Sequence, residues 1–163
     1  TAGALSSAKD VDWQDGAETA MAMMTAYDCK IDFVLHAAGG LDGLNTYSPE
    51  KYILDEQLLA GRLSMVNRED IFSEENINME SIEEVGPDDN YLLEDDTLEL
   101  YQTEIFYAKH FNIDAYATWE KNGKESVFQK AHKEVERRLA TFKYPEYDER
   151  QMAMLDKILE GVL

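Results

Sequence analysis

The chain has little of what marks a secreted or membrane protein. Among its 163 residues Cys29 is the only cysteine. One thiol cannot form an internal disulfide, so we expect a reducing compartment, namely the cytoplasm. No apolar run approaches the ~20 residues that a membrane-spanning helix needs, and no basic segment precedes an apolar one near the start. We therefore expect neither a membrane span nor a signal peptide.

Basic residues are also scarce. The chain has 15 Lys and Arg against 34 Asp and Glu, a formal net charge of −19. Neither Lys nor Arg occurs in residues 69–108, where acidic residues recur. Such a polyanion repels nucleic acid and anionic membranes, so we expect neither as a partner. The acidic stretch predicts a solvated surface, and the alternative is a docking face for a basic partner.

The spacings that build common metal and catalytic sites are missing. The sequence has no zinc-ligand spacing, no phosphate-cradling glycine loop and no Ser or Cys nucleophile motif with a partner. Asp88, Asn90 and Glu99 fall at positions one, three and twelve of a calcium loop. Leu93 then stands at position six, where the turn of such a loop needs glycine. We expect no metal bound by this chain.

The most informative feature is a short apolar run that ends in histidine and glycine. Residues 31–35 are mostly apolar, His36 follows, and a glycine-rich loop begins at Gly39 and Gly40. A short apolar run bounded by turn residues predicts a buried strand. In α/β folds function collects at the carboxyl ends of strands. His36 is therefore a candidate site residue, although a structural histidine fits the same pattern.

Most of the remaining chain has helical spacing. A helix is predicted over 13–29, with Cys29 as a packing residue at its end, and another begins at the Ser48 cap and Pro49. Their predicted buried stripes are Trp13, Ala17, Met21, Met24 and Tyr27, then Leu54, Leu58, Leu59, Leu63 and Val66. Helix, strand and helix in this order are typical of the end of an α/β barrel.

Beyond Arg68 the pattern predicts further short helices. They cover 74–85, a segment opened by Asp96, 115–122 and 128–142, and a last helix is capped by Asp148 and buries Met152, Leu155, Ile158 and Val162. Residues 91–93 are predicted to be extended. His110 and His132 lie within helical patterns, which predicts ordinary surface or packing residues.

A series of short motifs resembles the trimethylamine methyltransferase family. The motifs lie at 9–14, at His36, and at 47–56, 84–87, 91–93, 97–98, 103–106 and 119–123, in the family's order. Two positions depart from its pattern. Asp96 stands where the family often has His, and Asp89-Asn90 replaces Gly-His.

This resemblance implies a larger parent fold. The family is built on a (β/α)8 TIM barrel of several hundred residues, so the chain is expected to be its C-terminal portion. Residues 1–66 would supply the last βα elements of the barrel, and 67–163 a C-terminal helical extension. In methanogen enzymes of the family an amber codon read as pyrrolysine would fall at or just before residues 1–5. The chain could then be the piece downstream of that codon.

The resemblance also implies an activity. The family moves a methyl group from trimethylamine, or a related methylated amine such as glycine betaine, to the cobalt of a corrinoid on a partner protein, as in methanogenesis. By the same resemblance His36 is the catalytic candidate, and Gly39, Gly40, Asn45 and Tyr47 are substrate-binding candidates. A truncated barrel would expose strand edges, so we expect the isolated chain to form a homo-oligomer. Because pyrrolysine, if the intact enzyme has it, is not in this sequence, we expect the isolated chain to be inactive. The alternative is a non-catalytic acidic helical module that binds a partner protein.

Overall fold

The N-terminal part of the chain forms a helix, a small hairpin and a second long helix. The structure is a computed structural model that describes residues 1, 3, 5–66 and 76–160. Its elements in this part are α1 (Trp13–Asp28), β1 (Gly40–Leu41), β2 (Thr46–Tyr47) and α2 (Pro49–Val66). A 3-10 turn, Asp42–Leu44, connects the two strands.

The helix α1 lies where the sequence predicts it, but its buried face differs. Asp12 caps it by accepting the Asp15 N–H at 3.0 Å. The residues that face the interior are Asp15, Thr19, Met23 and Ala26. The predicted apolar stripe is wrong, since Trp13 is 87% exposed and Met21 70% exposed. The reason is a buried polar contact with α2, described below, which turns Asp15 and Thr19 inward. Cys29, predicted to pack, is exposed.

The predicted buried strand over 31–35 is wrong as well. Only Leu35 forms a bridge, donating its N–H to the Thr1 carbonyl at 2.8 Å and accepting the Gly3 N–H at 2.7 Å. The side chains of Phe33 and Leu35 are exposed. A buried strand needs hydrogen-bonding partners on its edges and packing on its faces. Within the described residues this segment has a backbone partner on one edge only, so it does not form a buried strand.

The regular strands form immediately after the glycines. β1 and β2 pair antiparallel, with Gly40 opposite Tyr47 and Leu41 opposite Thr46. The loop before α1 supports this hairpin, because Asp42 donates its N–H to the Ala8 carbonyl at 3.0 Å. Glu18 of α1 accepts the backbone N–H of Ser7 and the hydroxyls of Ser6 and Ser7, which fixes that loop on the helix. These elements form one small core.

The helix α2 begins as predicted, at Pro49. Ser48 caps it by accepting the Lys51 N–H at its hydroxyl oxygen, at 3.1 Å. The most buried side chains of α2 are Lys51, Ile53, Asp55 and Gln57. The predicted leucine stripe is only half-buried over Leu54, Leu58, Leu59 and Leu63, and the Val66 side chain lies outside the described residues.

The second half of the described chain is helical. Its elements are α3 (Met79–Val85), a 3-10 turn (Tyr91–Leu93), α4 (Asp95–Thr103), α5 (Tyr116–Lys121), α6 (Val127–Thr141) and α7 (Glu149–Glu160). The helices predicted over 115–122, over 128–142 and after Asp148 are confirmed. The helix predicted over 74–85 is confirmed over 79–85, because residues 76–78 are not α-helical and residues 74 and 75 lie outside the described residues. The helix predicted to open at Asp96 begins one residue earlier. The extended prediction for 91–93 is wrong, because the Asn90 side chain accepts the Leu92 N–H and closes a turn.

Few side chains are buried in this half. Within the described residues 76–160 the only buried residue is Ala131, where α6 packs on α2. His110 lies in a bend rather than in the predicted helix, and its N–H donates to the Gln57 side chain of α2 at 2.7 Å. The predicted burial of α7 is wrong for Met152, Leu155 and Ile158, which are 40–54% exposed. Val162 lies outside the described residues.

Candidate functional site

The glycine turn places three of the predicted site residues together. Gly39 and Gly40 are buried, and Gly40 pairs with Tyr47 across the hairpin. Gly39 has a φ of 82°, and a Cβ atom there would collide with the Tyr47 ring. The Tyr47 ring thus occupies the space that a side chain at residue 39 would need. Glycine fits this position because it tolerates the positive φ and leaves room for the ring.

The other two predicted residues lie apart from this contact. Asn45 is exposed in the loop of the hairpin, where its side-chain amide donates to the Asp42 carbonyl at 2.8 Å. His36 is exposed and adopts a φ of 53°. This left-handed conformation is uncommon outside glycine, although histidine tolerates it better than most residues. His36 is therefore placed at the surface, three residues before the Gly39 turn.

A buried ionic cluster lies beneath the hairpin. The Lys51 side chain is fully buried, and its ammonium donates to Thr19 Oγ1 at 2.8 Å and to Asp55 Oδ2 at 2.6 Å. Asp15 Oδ1 lies 3.0 Å from the same nitrogen, at an angle unfavourable to a hydrogen bond. Two of the three N–H groups of the ammonium thus donate to these acceptors, and Asp15 contacts the same nitrogen only as an ion pair.

The cluster carries an excess of negative charge. Two buried carboxylates, Asp15 and Asp55, face one ammonium, that of Lys51. Burial raises the pKa of Asp55 above its ordinary value of 3.8, although Lys51 and the Gly39 N–H both act to lower it. Desolvation therefore raises the pKa of Asp55 by more than its hydrogen bonds lower it. A further positive charge or a proton near the cluster would be stabilised by this excess of carboxylates.

The cluster is joined directly to the glycine turn. Asp55 Oδ2 accepts the Gly39 N–H at 2.9 Å, and the Gly39 carbonyl accepts the Ser48 N–H at 3.0 Å. Sequence reasoning missed Lys51 and Asp55, although both lie inside the 47–56 motif. The signal was a lysine and an aspartate four residues apart, within the arc of the helix that the predicted leucine stripe occupies.

Two tyrosines form the aromatic surface of the site. The rings of Tyr47 and Tyr52 have centroids 6.4 Å apart with an interplanar angle of 46°, and both side chains are partly exposed. Burial raises the pKa of Tyr47, with smaller contributions from Tyr52 and from the negative charge of Asp55. Aromatic faces with carboxylates behind them attract cations, including quaternary ammonium groups that cannot donate a hydrogen bond.

Neither a metal-binding cluster nor a membrane-spanning helix is found among the described residues. In residues 1, 3, 5–66 and 76–160, no three His, Cys, Asp or Glu side chains are grouped so that they could hold a metal ion. Among the helices of the described chain, none combines the length and apolar character that a membrane span requires.

Comparison with known proteins identifies the family. Residues 1–160 match the sequence model of the family described as trimethylamine methyltransferase (MTTB). The chain belongs to this family. The resemblance of its motifs is thereby confirmed over nearly the whole length, including both the hairpin and the helices after it.

Two curated members of the family are similar to this chain. A glycine betaine methyltransferase of Desulfitobacterium hafniense (strain Y51) is 34% identical over 146 residues, which cover 90% of this chain and 30% of that protein. A proline betaine:corrinoid methyltransferase of Eubacterium limosum is 33% identical over 158 residues, covering 91% of this chain and 31% of its own length. The chain thus spans about a third of the length of these relatives.

Proposed function

We propose that this chain is the C-terminal part of an enzyme that transfers a methyl group from a methylated amine to the cobalt of a corrinoid on a partner protein. The observation that carries the proposal is the family match over residues 1–160. The names of the two relatives favour a betaine as substrate, and trimethylamine stays a second possibility within the same chemistry. The match does not favour a non-catalytic acidic module.

In this proposal the hairpin binds the methylated ammonium group. The exposed rings of Tyr47 and Tyr52 would contact its methyl groups, and the negative charge of Asp15 and Asp55 would attract it from below. His36 would orient the substrate or hold a proton at its imidazole. Asn45, in the loop of the hairpin, would contact polar atoms of the substrate or of the partner.

The described residues also fit the approach of a large flat group. Gly43 has a φ of 61°, and a Cβ atom there would meet nothing within 4 Å, so the space beside the loop of the hairpin is open at this residue. Gly39 and Gly40, in contrast, are buried and support the hairpin. The corrinoid supplies a strongly nucleophilic cobalt that accepts the methyl group, while the protein binds and orients the reactants.

We propose a (β/α)8 barrel for the longer protein, with residues 1–66 as its last βα elements and residues 67–163 as a helical extension. What supports this is the open apolar side of the N-terminal part. Met21, Met24, Phe33 and Leu35 are all more than half exposed there. In a barrel such side chains would be covered by neighbouring strands and helices.

The test uses the full-length protein and free cob(I)alamin. We expect methylcobalamin to form, by its absorbance spectrum, with at least one of glycine betaine, proline betaine and trimethylamine. Each amine without the protein, and the protein with the demethylated product, are the controls. Formation with none of the three amines, while a known family member is active in the same assay, would contradict the proposed function.

A further inference from the structure

We infer that Asp55 is a positioning residue, which fixes the backbone of the Gly39 turn and thereby the place of the Tyr47 ring. Both polar atoms of the Gly39 backbone are hydrogen-bonded. Its N–H donates to Asp55 Oδ2 at 2.9 Å, and its carbonyl accepts the Ser48 N–H at 3.0 Å. Asp55 lies in the second turn of α2, and Ser48 immediately precedes the helix. The Gly39 turn is therefore attached to α2.

The Gly39 turn contacts the side chain of Tyr47. The Tyr47 ring lies where a Cβ atom of Gly39 would be, and Tyr47 pairs with the adjacent Gly40 across the hairpin. A shift of the Gly39 backbone would therefore move or release the ring. Tyr47 is 58% exposed, and its ring also meets that of Tyr52, with centroids 6.4 Å apart, so the Gly39 turn is one of two contacts that set the place of the ring.

The negative charge of Asp55 strengthens its hydrogen bond with the Gly39 N–H. A hydrogen bond to an ionised acceptor is about twice as strong as a neutral one. Lys51 donates to the same oxygen at 2.6 Å and orients the carboxylate from below. Asp15 approaches the same ammonium from α1 but does not hydrogen-bond Gly39. The two aspartates thus share a partner and differ in their contact with the turn.

That difference supplies a matched control. Hydrogen–deuterium exchange with mass spectrometry on the full-length protein would follow the segment 36–41. In Asp55→Ala we expect exchange there to rise by about tenfold or more, because the Gly39 N–H loses its buried acceptor. In Asp15→Asn we expect a change below about twofold, since the bond from Gly39 to Asp55 stays. Equal acceleration in both variants would overturn the inference, because only general loosening of the cluster would explain it.

A conservative variant covers the case in which Asp55→Ala fails to fold. The amide oxygen of Asp55→Asn can still accept from Gly39 and Lys51, so we expect exchange within about threefold of the wild type. Asp55→Leu, similar in size but without an acceptor, should then reproduce the fast exchange. An Asp55→Leu variant that folds and exchanges at the wild-type rate would overturn the inference.

A kinetic test of the Asp55 variants rests on the proposed function. If the Tyr47 ring contacts the methylated amine, Asp55→Leu should raise KM for the amine by about tenfold or more with a smaller effect on kcat, and Asp55→Asn should restore most of the affinity. An unchanged KM in an active enzyme would overturn the link to substrate. If the wild type transfers no methyl group, the proposed function fails, and the exchange measurement still decides the positioning role.

Discussion

His132 of α6 and Glu50 of α2 form an ion pair that joins two helices far apart in sequence. The Nδ1 atom of His132 lies 2.8 Å from Oε1 of Glu50. The same glutamate accepts the Ser48 hydroxyl at 3.0 Å. The pair therefore connects the C-terminal helices to the residue that caps α2 and hydrogen-bonds Gly39.

This ion pair predicts a stability that depends on pH near neutrality. The carboxylate of Glu50 raises the pKa of His132 above its ordinary 6.5. A histidine whose folded pKa is raised stabilises the fold below its unfolded pKa, and that contribution is lost as pH rises through the folded pKa. We expect the free energy of unfolding to fall over this range, measured by urea denaturation from about pH 5.5 to about pH 8.5.

Two variants separate this pair from other histidines. His132→Gln should flatten the pH dependence, because no imidazolium forms beside Glu50. His110→Gln should keep it, since His110 meets α2 through its backbone N–H. A wild-type slope that survives in His132→Gln would refute the assignment.

The buried lysine predicts a large loss of stability when it is removed. Lys51→Met would leave Asp15 and Asp55 buried without a counter-charge, which typically costs about 3–5 kcal/mol. Asp15→Asn is the matched control and should change stability by no more than about 1 kcal/mol, because Lys51 keeps Asp55 and Thr19. Chemical denaturation at neutral pH measures both effects.

Acid should partly rescue the Lys51→Met variant. Burial raises the pKa of Asp55 above 3.8 even in the wild type. A carboxyl group whose folded pKa is raised takes up its proton first in the folded state, so stability rises as pH falls through that pKa. Stability of Lys51→Met that does not rise on acidification would contradict this rescue. Separately, a Lys51→Met variant as stable as the wild type at neutral pH would contradict the large loss predicted above.

How far the sequence predicts this fold is clearest at α1. The helix itself follows from apolar spacing, and the structure confirms it. The sequence of α1 does not predict its buried face, because Asp15 and Thr19 are buried against Lys51 of α2. A hydrophobic pattern ranks side chains by their own polarity. It cannot register a polar side chain that is buried because a partner distant in sequence satisfies it.

The segment 31–35 fails for a related reason. Its apolar pattern predicts a buried strand, but the described residues supply a backbone partner on one edge, at Thr1 and Gly3, and leave Phe33 exposed. Strand formation depends on neighbours more than on the sequence of the strand itself. In the candidate site, the Gly39, Gly40 and Tyr47 group follows from the motifs, whereas the lysine beneath it required the structure.

Gly39→Ala should destabilise the fold through a specific clash. The substitution places a Cβ atom at a φ of 82° and against the Tyr47 ring, so we expect a loss of at least about 2 kcal/mol. Gly43→Ala is the control, since its φ of 61° carries the backbone cost but its Cβ meets open space. We expect a loss of about 1 kcal/mol there, the cost of an L residue in the left-handed conformation.

A double-mutant cycle isolates the clash from the backbone term. Tyr47→Ala should remove most of the excess cost of Gly39→Ala and none of the cost of Gly43→Ala. If the effects of Gly39→Ala and Tyr47→Ala simply add, the ring does not occupy the place of the missing side chain.

The exposed apolar side of the N-terminal part predicts self-association of the isolated chain. Phe33 is 68% exposed and Leu35 51% exposed, beside a bridge with an open edge. We expect static light scattering at micromolar concentration to report an oligomer, and Leu35→Glu to shift it toward monomer. Leu93→Glu introduces the same charge at an 85% exposed leucine in a 3-10 turn and should leave the oligomer intact. A clean wild-type monomer would contradict the prediction.

His36 provides the sharpest test of the catalytic assignment, which rests on the family resemblance and on its place before the Gly39 turn. In the full-length enzyme His36→Ala should lower corrinoid methylation about a hundredfold or more if the imidazole positions substrate or moves a proton. Because the side chain is exposed, the denaturant midpoint should change little. His36→Asn is the better matched variant, since asparagine also tolerates a φ of 53° and the backbone should not shift. We expect both variants to fold like the wild type and to lose methyl transfer together. Full turnover in His36→Asn with the wild-type midpoint would remove His36 from the mechanism.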